Sequence, residues 1–519
     1  WLKLKWILAQ VDVANFTTCG APQAMMGSLP VEGLVIEPFK VTAAVIILAL
    51  TLVLISRDSW SWLPVGRTCG AMLGASLMVV FQVVQPEHAF EAVDLETLAV
   101  LFGISAMVHY LEREGFFEFL AGPMLKQCGS PFSLLICISA VSFMSAALFM
   151  NDPACLFLTP LVVKVVAARK LPPAPYLIAL ATSANIGAAV TPIGSPQNMI
   201  IATKSGFSFL DFLVPLGPVA ALAWLININV VCLLFRRQLF PPTLETMQAD
   251  DIANAHRADS THEGTHGDAE LAQVEPTDPI APDSSTLGTS STDWIADGTA
   301  EPLPKALQFL WCRITRPKLV AFLTVALGVM IGFIADLPLG WTCICGASAM
   351  VILDRQPPDE MLRSVDGSLL LFFSSLFIVM RGISETGLPS LLWREVMLGP
   401  DSEEANLGNS GVLAIFALLV LIGSNVMSNV PLVLLVSPEI HVFGRYSNFA
   451  WLVLSWVSTV AGNLTLVGSV ANLIVAEKAR THHELGFREY TRVGAPSTLL
   501  LIPATLPVLW WLADTRLGM

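Results

Sequence analysis

The sequence predicts an all-α polytopic membrane protein made of two inverted repeats, each with a re-entrant hairpin and a broken transmembrane helix. Three observations predict it. The 519 residues are 54% hydrophobic and 13% charged, with a mean hydropathy of +0.67, whereas soluble domains carry about 25% charged residues. The apolar residues come in runs that approach the roughly 20 residues of a spanning helix, each bounded by charge. Residues 41–56 lie between Lys40 and Arg57, 319–335 between Lys318 and Asp336, and 493–513 between Arg492 and Asp514. Finally, polar, Pro-containing breaks recur in the same order in the two halves.

Residues 1–39 mix Gly, Pro and short apolar stretches and are assigned no element. The chain opens at Trp1 rather than Met, so the native N-terminus is expected upstream. The first repeat, 41–235, has spans near 41–55, 68–85 and 97–112. A long apolar stretch at 130–168 follows, interrupted at Asn151-Asp152-Pro153. A second, 174–203, is interrupted between Thr191 and Asn198, and a span near 209–235 closes the half. The second repeat, 317–513, has spans near 318–335, 338–353 and 366–386. Its apolar stretches are 411–438, broken at Ser428-Asn429-Val430-Pro431, and 447–477, broken between Thr465 and Asn472, before a last span near 493–513.

Residues 236–316 between them read as an acidic, disordered, cytoplasmic linker. From 241 to 301 there are 13 acidic residues and one basic residue, Arg257, so this stretch carries −12 of the net −13. Asp, Ser, Thr, Pro and Gly dominate it, and such a composition buries too little apolar surface to fold. The acidity therefore belongs to one loop and says nothing about a ligand. The nine cysteines form no C-x-x-C pair, and no metal or cofactor site is expected.

The repeat is legible in matched letters. Val93-Asp94 and Gly115 align with Val365-Asp366 and Gly387. Asn151-x-Pro153 followed by Thr159-Pro160 matches Asn429-x-Pro431 followed by Ser437-Pro438. Thr191-x-x-Gly194-Ser195-x-x-Asn198 matches Thr465-x-x-Gly468-Ser469-x-x-Asn472. Basic residues mark cytoplasmic ends. Arg113 and Lys126 follow the span at 97–112, whereas Arg355 and Arg363 precede its mate at 366–386. The mates are thus expected to cross in opposite senses, a common plan among secondary transporters.

Broken helices carry the chemistry in this reading. Backbone that leaves the helix at membrane depth must be buried in protein or line an aqueous cavity. Half-helix N-termini favour anions, and freed carbonyls favour cations. Pro153 suits the first helical position, and Asn151 or Asp152 suits the cap. Asp152, an ionisable group at membrane depth, is a candidate for carrying a proton or binding a cation. The remaining candidates are uncharged: Asn185, Thr191, Gly194, Ser195 and Asn198 in the first half. In the second they are Ser428, Asn429, Pro431, Asn463, Thr465, Gly468, Ser469 and Asn472. One carboxylate and no Arg or Lys favours a neutral polyhydroxyl solute, or an anion held by helix dipoles.

Asn-Asp-Pro with its downstream Thr-Pro, and Thr191-Pro192-Ile193-Gly194-Ser195-Pro196-Gln197-Asn198, resemble the ion transporter superfamily. That group includes the divalent anion:sodium symporters, with their citrate-transporter-like domain, and the arsenite efflux permeases. Residues 183–198 and 456–475 look closest to plant-type silicon efflux transporters, and the resemblance covers 41–235 and 317–513. It implies two re-entrant hairpins and two unwound helices around a midplane site, with alternating access. In the symporters the hairpin tips carry Ser-Asn-Thr and build sodium sites. Asn151 and Asn429 fall on the tip asparagines, but Met150 and Asp152 replace the neighbours of the first, and Val430 stands beside the second. These departures favour H+ over Na+ as the coupling ion, with Asp152 as proton carrier.

The expected function is secondary active efflux of silicic acid or a similar hydroxylated metalloid. Arsenite efflux and sodium-coupled di- or tricarboxylate transport are the alternatives. An intramembrane enzyme would need paired aspartates, a Ser–His pair or a zinc motif, and none is present. The expected partners are the bilayer, a small solute and a second copy in a homodimer, with no nucleic acid. The expected location is a multi-pass position, in the plasma membrane.

Overall fold

The computed structural model describes residues 38–55, 66–120, 128–240, 317–398 and 404–517. Nearly all of the segment expected over 1–39 and of the linker expected over 236–316 lies outside them. Among the described residues, nine helices are long and apolar enough to cross a membrane, and the protein is an integral, multi-pass α-helical membrane protein.

In the first half the helices are α1 (Pro38–Ile55), α2 (Arg67–Val80), α3 (Pro86–Glu91) and α4 (Leu95–Arg113). The hairpin α5 (Pro131–Phe149) and α6 (Asn151–Ala168) follows. Then come the broken pair α7 (Pro173–Ala188) and α8 (Pro196–Ser205), α9 (Phe209–Leu234), and the short α10 (Arg236–Leu239). The second half begins with α11 (Pro317–Ile334), α12 (Leu339–Asp354), α13 (Asp359–Ser364), α14 (Gly367–Glu385) and α15 (Leu388–Met397). Its hairpin is α16 (Ser410–Met427) and α17 (Asn429–Val436). Its broken pair is α18 (Ser447–Ala461) and α19 (Val470–Ala479), and α20 (Phe487–Leu517) closes it.

Two boundaries differ from expectation. The span near 68–85 ends at Val80, because the Val83 and Val84 N–H groups turn back to the Met78 carbonyl and Pro86 has no N–H to continue a helix. The linker was expected from 236, but residues 236–239 still form a helical turn with Leu239 buried.

The matched letters of the two halves have matched roles. Asp94 caps α4 by accepting from the Glu96 and Thr97 N–H groups, and Asp366 caps α14 by accepting from those of Ser368 and Leu369. Gly115 and Gly387, beyond the same two helices, both take left-handed φ, 83° and 70°, which glycine adopts without steric cost. Thr159 and Ser437 each bond the carbonyl four residues back, Cys155 and Val433, ahead of a proline. After Pro160 the α-helix continues; at Pro438 it tightens into a 3-10 segment, Ser437–Tyr446.

The halves pack crosswise. Helix α12 lies on α4 of the other half, and α2 lies on α14. The first contact is close: a Cβ on Gly103 would stand 2.6 Å from Cys343 Cβ and 2.7 Å from its carbonyl carbon. At the end of this contact Asp354, with a side chain 1% exposed, accepts from Arg113 of α4 at 2.5 Å and from Lys318 of α11 at 2.9 Å. The hairpins pack on the broken helices, α5 on α7 and α16 on α18, and α9 packs on α20.

The close approach is testable. Gly103→Ala has no room, and overpacking of this kind costs about 1–3 kcal/mol. Gly328→Ala, in open space on α11, is expected to stabilise by about 0.5–1 kcal/mol. Thermal unfolding in detergent reads both; equal shifts in the two variants would contradict the packing described.

Candidate functional site

The four breaks have paired backbone geometry. At the hairpin tips a single residue separates two helices, Met150 at φ 73°, ψ 154° and Ser428 at φ 75°, ψ 159°. This region belongs to glycine, and a side chain there costs on the order of 1–3 kcal/mol. At the other two breaks a one-turn 3-10 segment, Pro192–Gly194 or Leu466–Gly468, lies between extended residues, Thr191 and Ser195 or Thr465 and Ser469.

The asparagines that close these two loops do the same work. Asn198 Nδ2 donates to the carbonyls of Ala188 (3.0 Å) and Thr191 (3.3 Å). Asn472 Nδ2 donates to those of Gly462 (2.7 Å) and Thr465 (3.1 Å). Each thus satisfies two carbonyls freed by its break, ten and seven residues back. Thr191 Oγ1 anchors its loop to the Ala147 carbonyl of the first hairpin, and Thr465 Oγ1 anchors the other to Asn425 Oδ1 of the second. Gly194 and Gly468 allow the loops to fold tightly, with virtual Cβ positions 2.1 Å from the Ala188 oxygen and 2.8 Å from Asn425 Oδ1.

Asn185 joins the halves. Its Nδ2 donates to Asn463 Oδ1 (2.9 Å) and Asn472 Oδ1 (3.0 Å), and its Oδ1 accepts from Asn151 Nδ2 and Ser469 Oγ, both at 3.0 Å. A carboxamide offers two donors and two acceptor sites, so this buried amide is saturated. Asn463 Nδ2 continues to the Thr182 carbonyl. A second junction runs the other way: Asn198 Oδ1 accepts from Ser455 Oγ (2.9 Å) and Thr459 Oγ1 (3.1 Å), and Gln197 Nε2 donates to Thr459 Oγ1.

Asn151, Asn185, Asn463, Ser469 and Asn472 therefore stand in one network, and Thr191, Asn198 and their partners in another. Ser428, Asn429 and Pro431 are in neither. Ser428 is exposed, and the buried Asn429 Oδ1 has no partner. Asn151 Oδ1 and Ser195 Oγ are likewise buried without a partner.

Two expectations at the first tip need correction. Neither Asn151 nor Asp152 caps α6, which has no side-chain cap at all; the Asn151 amide is drawn instead to Asn185. Pro153 is the third residue of α6, not the first, although it still falls among the first-turn positions whose N–H has no helical partner. Asp152 is half-buried and makes no hydrogen bond or ion pair among the described residues. The charge that acts on it is Arg67, first residue of α2.

The other half-helices share the missing cap. No side chain caps α8, α17 or α19, nor α2, α3, α7, α12, α13, α15 or α18, whereas α4, α5, α9, α14 and α16 are capped by Asp94, Ser130, Ser208, Asp366 and Asn409. Sequence reasoning missed Ser455 and the support behind α7, where Ser497 Oγ donates to Asn227 Oδ1 and Asn227 Nδ2 donates to Thr182 Oγ1, both at 2.8 Å. Two asparagines in the apolar run 209–234, Asn227 and Asn229, were the available signal; of these Asn227 is buried, and Asn229 donates to the Leu225 carbonyl of its own helix.

The citrate transporter family pattern matches residues 50–461. The chain is 34% identical over 464 residues to the silicon efflux transporter LSI3 of Oryza sativa subsp. japonica, covering 86% of this chain and 93% of that one. It is 30% identical over 528 residues to the putative transporter arsB of Dictyostelium discoideum, covering 91% and 92%. It is 25% identical over 483 residues to a 46 kDa membrane protein of Mycobacterium leprae, covering 90% and 97%.

Removing the hub strips four buried groups of a partner. Asn185→Ala is expected to lower stability by at least about 3 kcal/mol. Ser428→Gly relieves the strained tip and is expected to raise it by about 1 kcal/mol. Unfolding midpoints decide; an unchanged midpoint in Asn185→Ala would contradict the hub.

Proposed function

The chain belongs to the citrate transporter family, and on that premise we propose that it is a secondary active transporter exporting silicic acid or a similar hydroxylated metalloid in exchange for protons. The observation that carries the reading is the pair of orphaned oxygens of Asn151 and Asn429 at the two hairpin tips, each beside an uncapped half-helix N-terminus. Uncapped N-termini present N–H donors to solute oxygens. The orphaned oxygens accept from solute O–H groups. A neutral polyhydroxyl molecule both donates and accepts, so it satisfies the two sets at once. Asp152, with no direct partner, is the group proposed to carry the proton, with Arg67 acting on its charged form. The halves are proposed to be inverted across the membrane, as their basic flanks suggest, and the resemblance to a silicon efflux transporter supports silicic acid as first choice.

A second reading rests on the same orphaned oxygens. Two amide oxygens at two hairpin tips also suit a hard cation such as sodium, with a carboxylate at the helix N-termini. Arsenite, neutral and hydroxylated, fits the first reading's chemistry and is its nearest rival.

Proteoliposome flux separates them. A pH gradient is expected to drive silicic acid exchange, and Asp152→Asn to cut the driven flux by at least about tenfold. Sodium-driven citrate uptake without silicic acid flux would contradict the proposal.

A further inference from the structure

Four helix ends meet at the base of the first hairpin, far along the chain from its tip. The Tyr176 hydroxyl of α7 donates to the Pro131 carbonyl at the start of α5 (3.1 Å). The Arg169 guanidinium, just past the end of α6, donates to the Cys128 carbonyl ahead of α5. Phe132 of α5 and Phe240, directly after α10, have ring centroids 5.4 Å apart, which brings the end of α9 and the turn α10 to the same place. Leu239 is buried there, so α10 is anchored and its two arginines are held at the base.

These ends carry cations and no carboxylate. Lys164, Arg169 and Lys170 lie on and after α6, Arg236 and Arg237 open α10, and residues 128–135, 160–180 and 228–240 contain no Asp or Glu. Lys170, Arg236 and Arg237 are exposed, and none of the three has an ion pair among the described residues. Other helix-end cations are matched: Arg113 and Lys318 share Asp354, Arg381 has Glu385, and Arg516 has Asp211. The base of the second hairpin is of mixed sign, with Arg445, Glu439 and Glu404, whose carboxylate lies against Gly444. Beside the unmatched cations is an apolar ledge of Leu233, Leu234 and Phe240, 70%, 43% and 52% exposed.

Basic residues at cytoplasmic ends are general and by themselves ask for no ligand. Here cations from two separate helix ends converge beside apolar side chains. A free anion would answer only the charge; an anionic phospholipid answers both, with a phosphate for the cations and acyl chains for the ledge.

We propose that the base of the first hairpin binds an anionic phospholipid. Its phosphate bridges Lys170, beyond the end of α6, to Arg236 and Arg237 of α10, and its acyl chains lie along Leu233, Leu234 and Phe240. The lipid thereby ties the hairpin limb α6 to the end of α9. This is the end that the basic flanks assign to the cytoplasm, and the cytoplasmic leaflet is the one that carries anionic lipid.

The test uses the full chain in neutral detergent and reads the unfolding midpoint, so it does not depend on which solute is carried. The probes are phosphatidylglycerol, phosphatidylcholine and glycerol 3-phosphate. Phosphatidylglycerol is expected to raise the midpoint, more so at low salt, and the other two to leave it unchanged. Arg236→Gln combined with Arg237→Gln is expected to raise the phosphatidylglycerol concentration needed for half the shift by at least about tenfold. Lys170 stands at φ 52°, a conformation that glycine adopts without cost. Lys170→Gly is therefore expected to hold or raise the midpoint without lipid while weakening the lipid response about fivefold, and it remains decisive if the double variant fails to fold. Equal responses of the wild type and Lys170→Gly to phosphatidylglycerol would overturn the proposal. An equal shift from glycerol 3-phosphate would overturn the lipid in favour of a free phosphate. A lipid response that appears only when the carboxylates between 241 and 301 are neutralised would overturn it in favour of the chain's own acidic segment.

Discussion

Backbone that leaves the helix inside a bilayer has no water to turn to, and the architecture follows from how this chain meets that demand. It frees carbonyls at two loops, and two asparagine amides take them back. Asn198 and Asn472 each spend both N–H groups on their own loop, which leaves only their oxygens to face the opposite half. Those oxygens must then find donors across the centre of the molecule, and Asn185, Ser455 and Thr459 supply them. The halves are joined because each loop, once satisfied, presents an acceptor that only the other half can serve. An unmade hydrogen bond costs more here than in water, so the junction is a condition for the breaks to exist.

This accounting separates polar residues that look alike in the sequence. Asn185 and Asn198 have no capacity left and act as cross-links. Asn151, Asn429 and Ser195 keep buried atoms without partners, and these atoms, with the uncapped half-helix starts, are what the molecule can offer to a passing solute. Asp152 stands at the same tip with a distant cation instead of a direct partner. A fixed amide junction beside unspent polar atoms and one lightly held carboxylate is an arrangement suited to binding and release rather than to bond-making chemistry.

Much of this was legible in the letters. Charge-bounded apolar runs located the spans, and matched Asn-x-Pro and Thr-x-x-Gly-Ser-x-x-Asn motifs located the breaks, because both signals are local in the chain. Asp94 and Asp366 could be paired from spacing, and the structure gives them the same capping role. What could not be read was partnership. Nothing near Asn185 in sequence indicates that its partners lie at 463, 469 and 472, and local rules gave Asn151 to a cap when a bond across the molecule takes it.

The joining of the halves through Asn185 is most directly tested by a double-mutant cycle on unfolding free energy with Asn185→Ala and Asn472→Ala. The account predicts a coupling of at least about 1 kcal/mol between residues 287 positions apart in the chain. Strictly additive effects would mean that the two amides do not act on each other, and the junction described here would not be what holds the halves together.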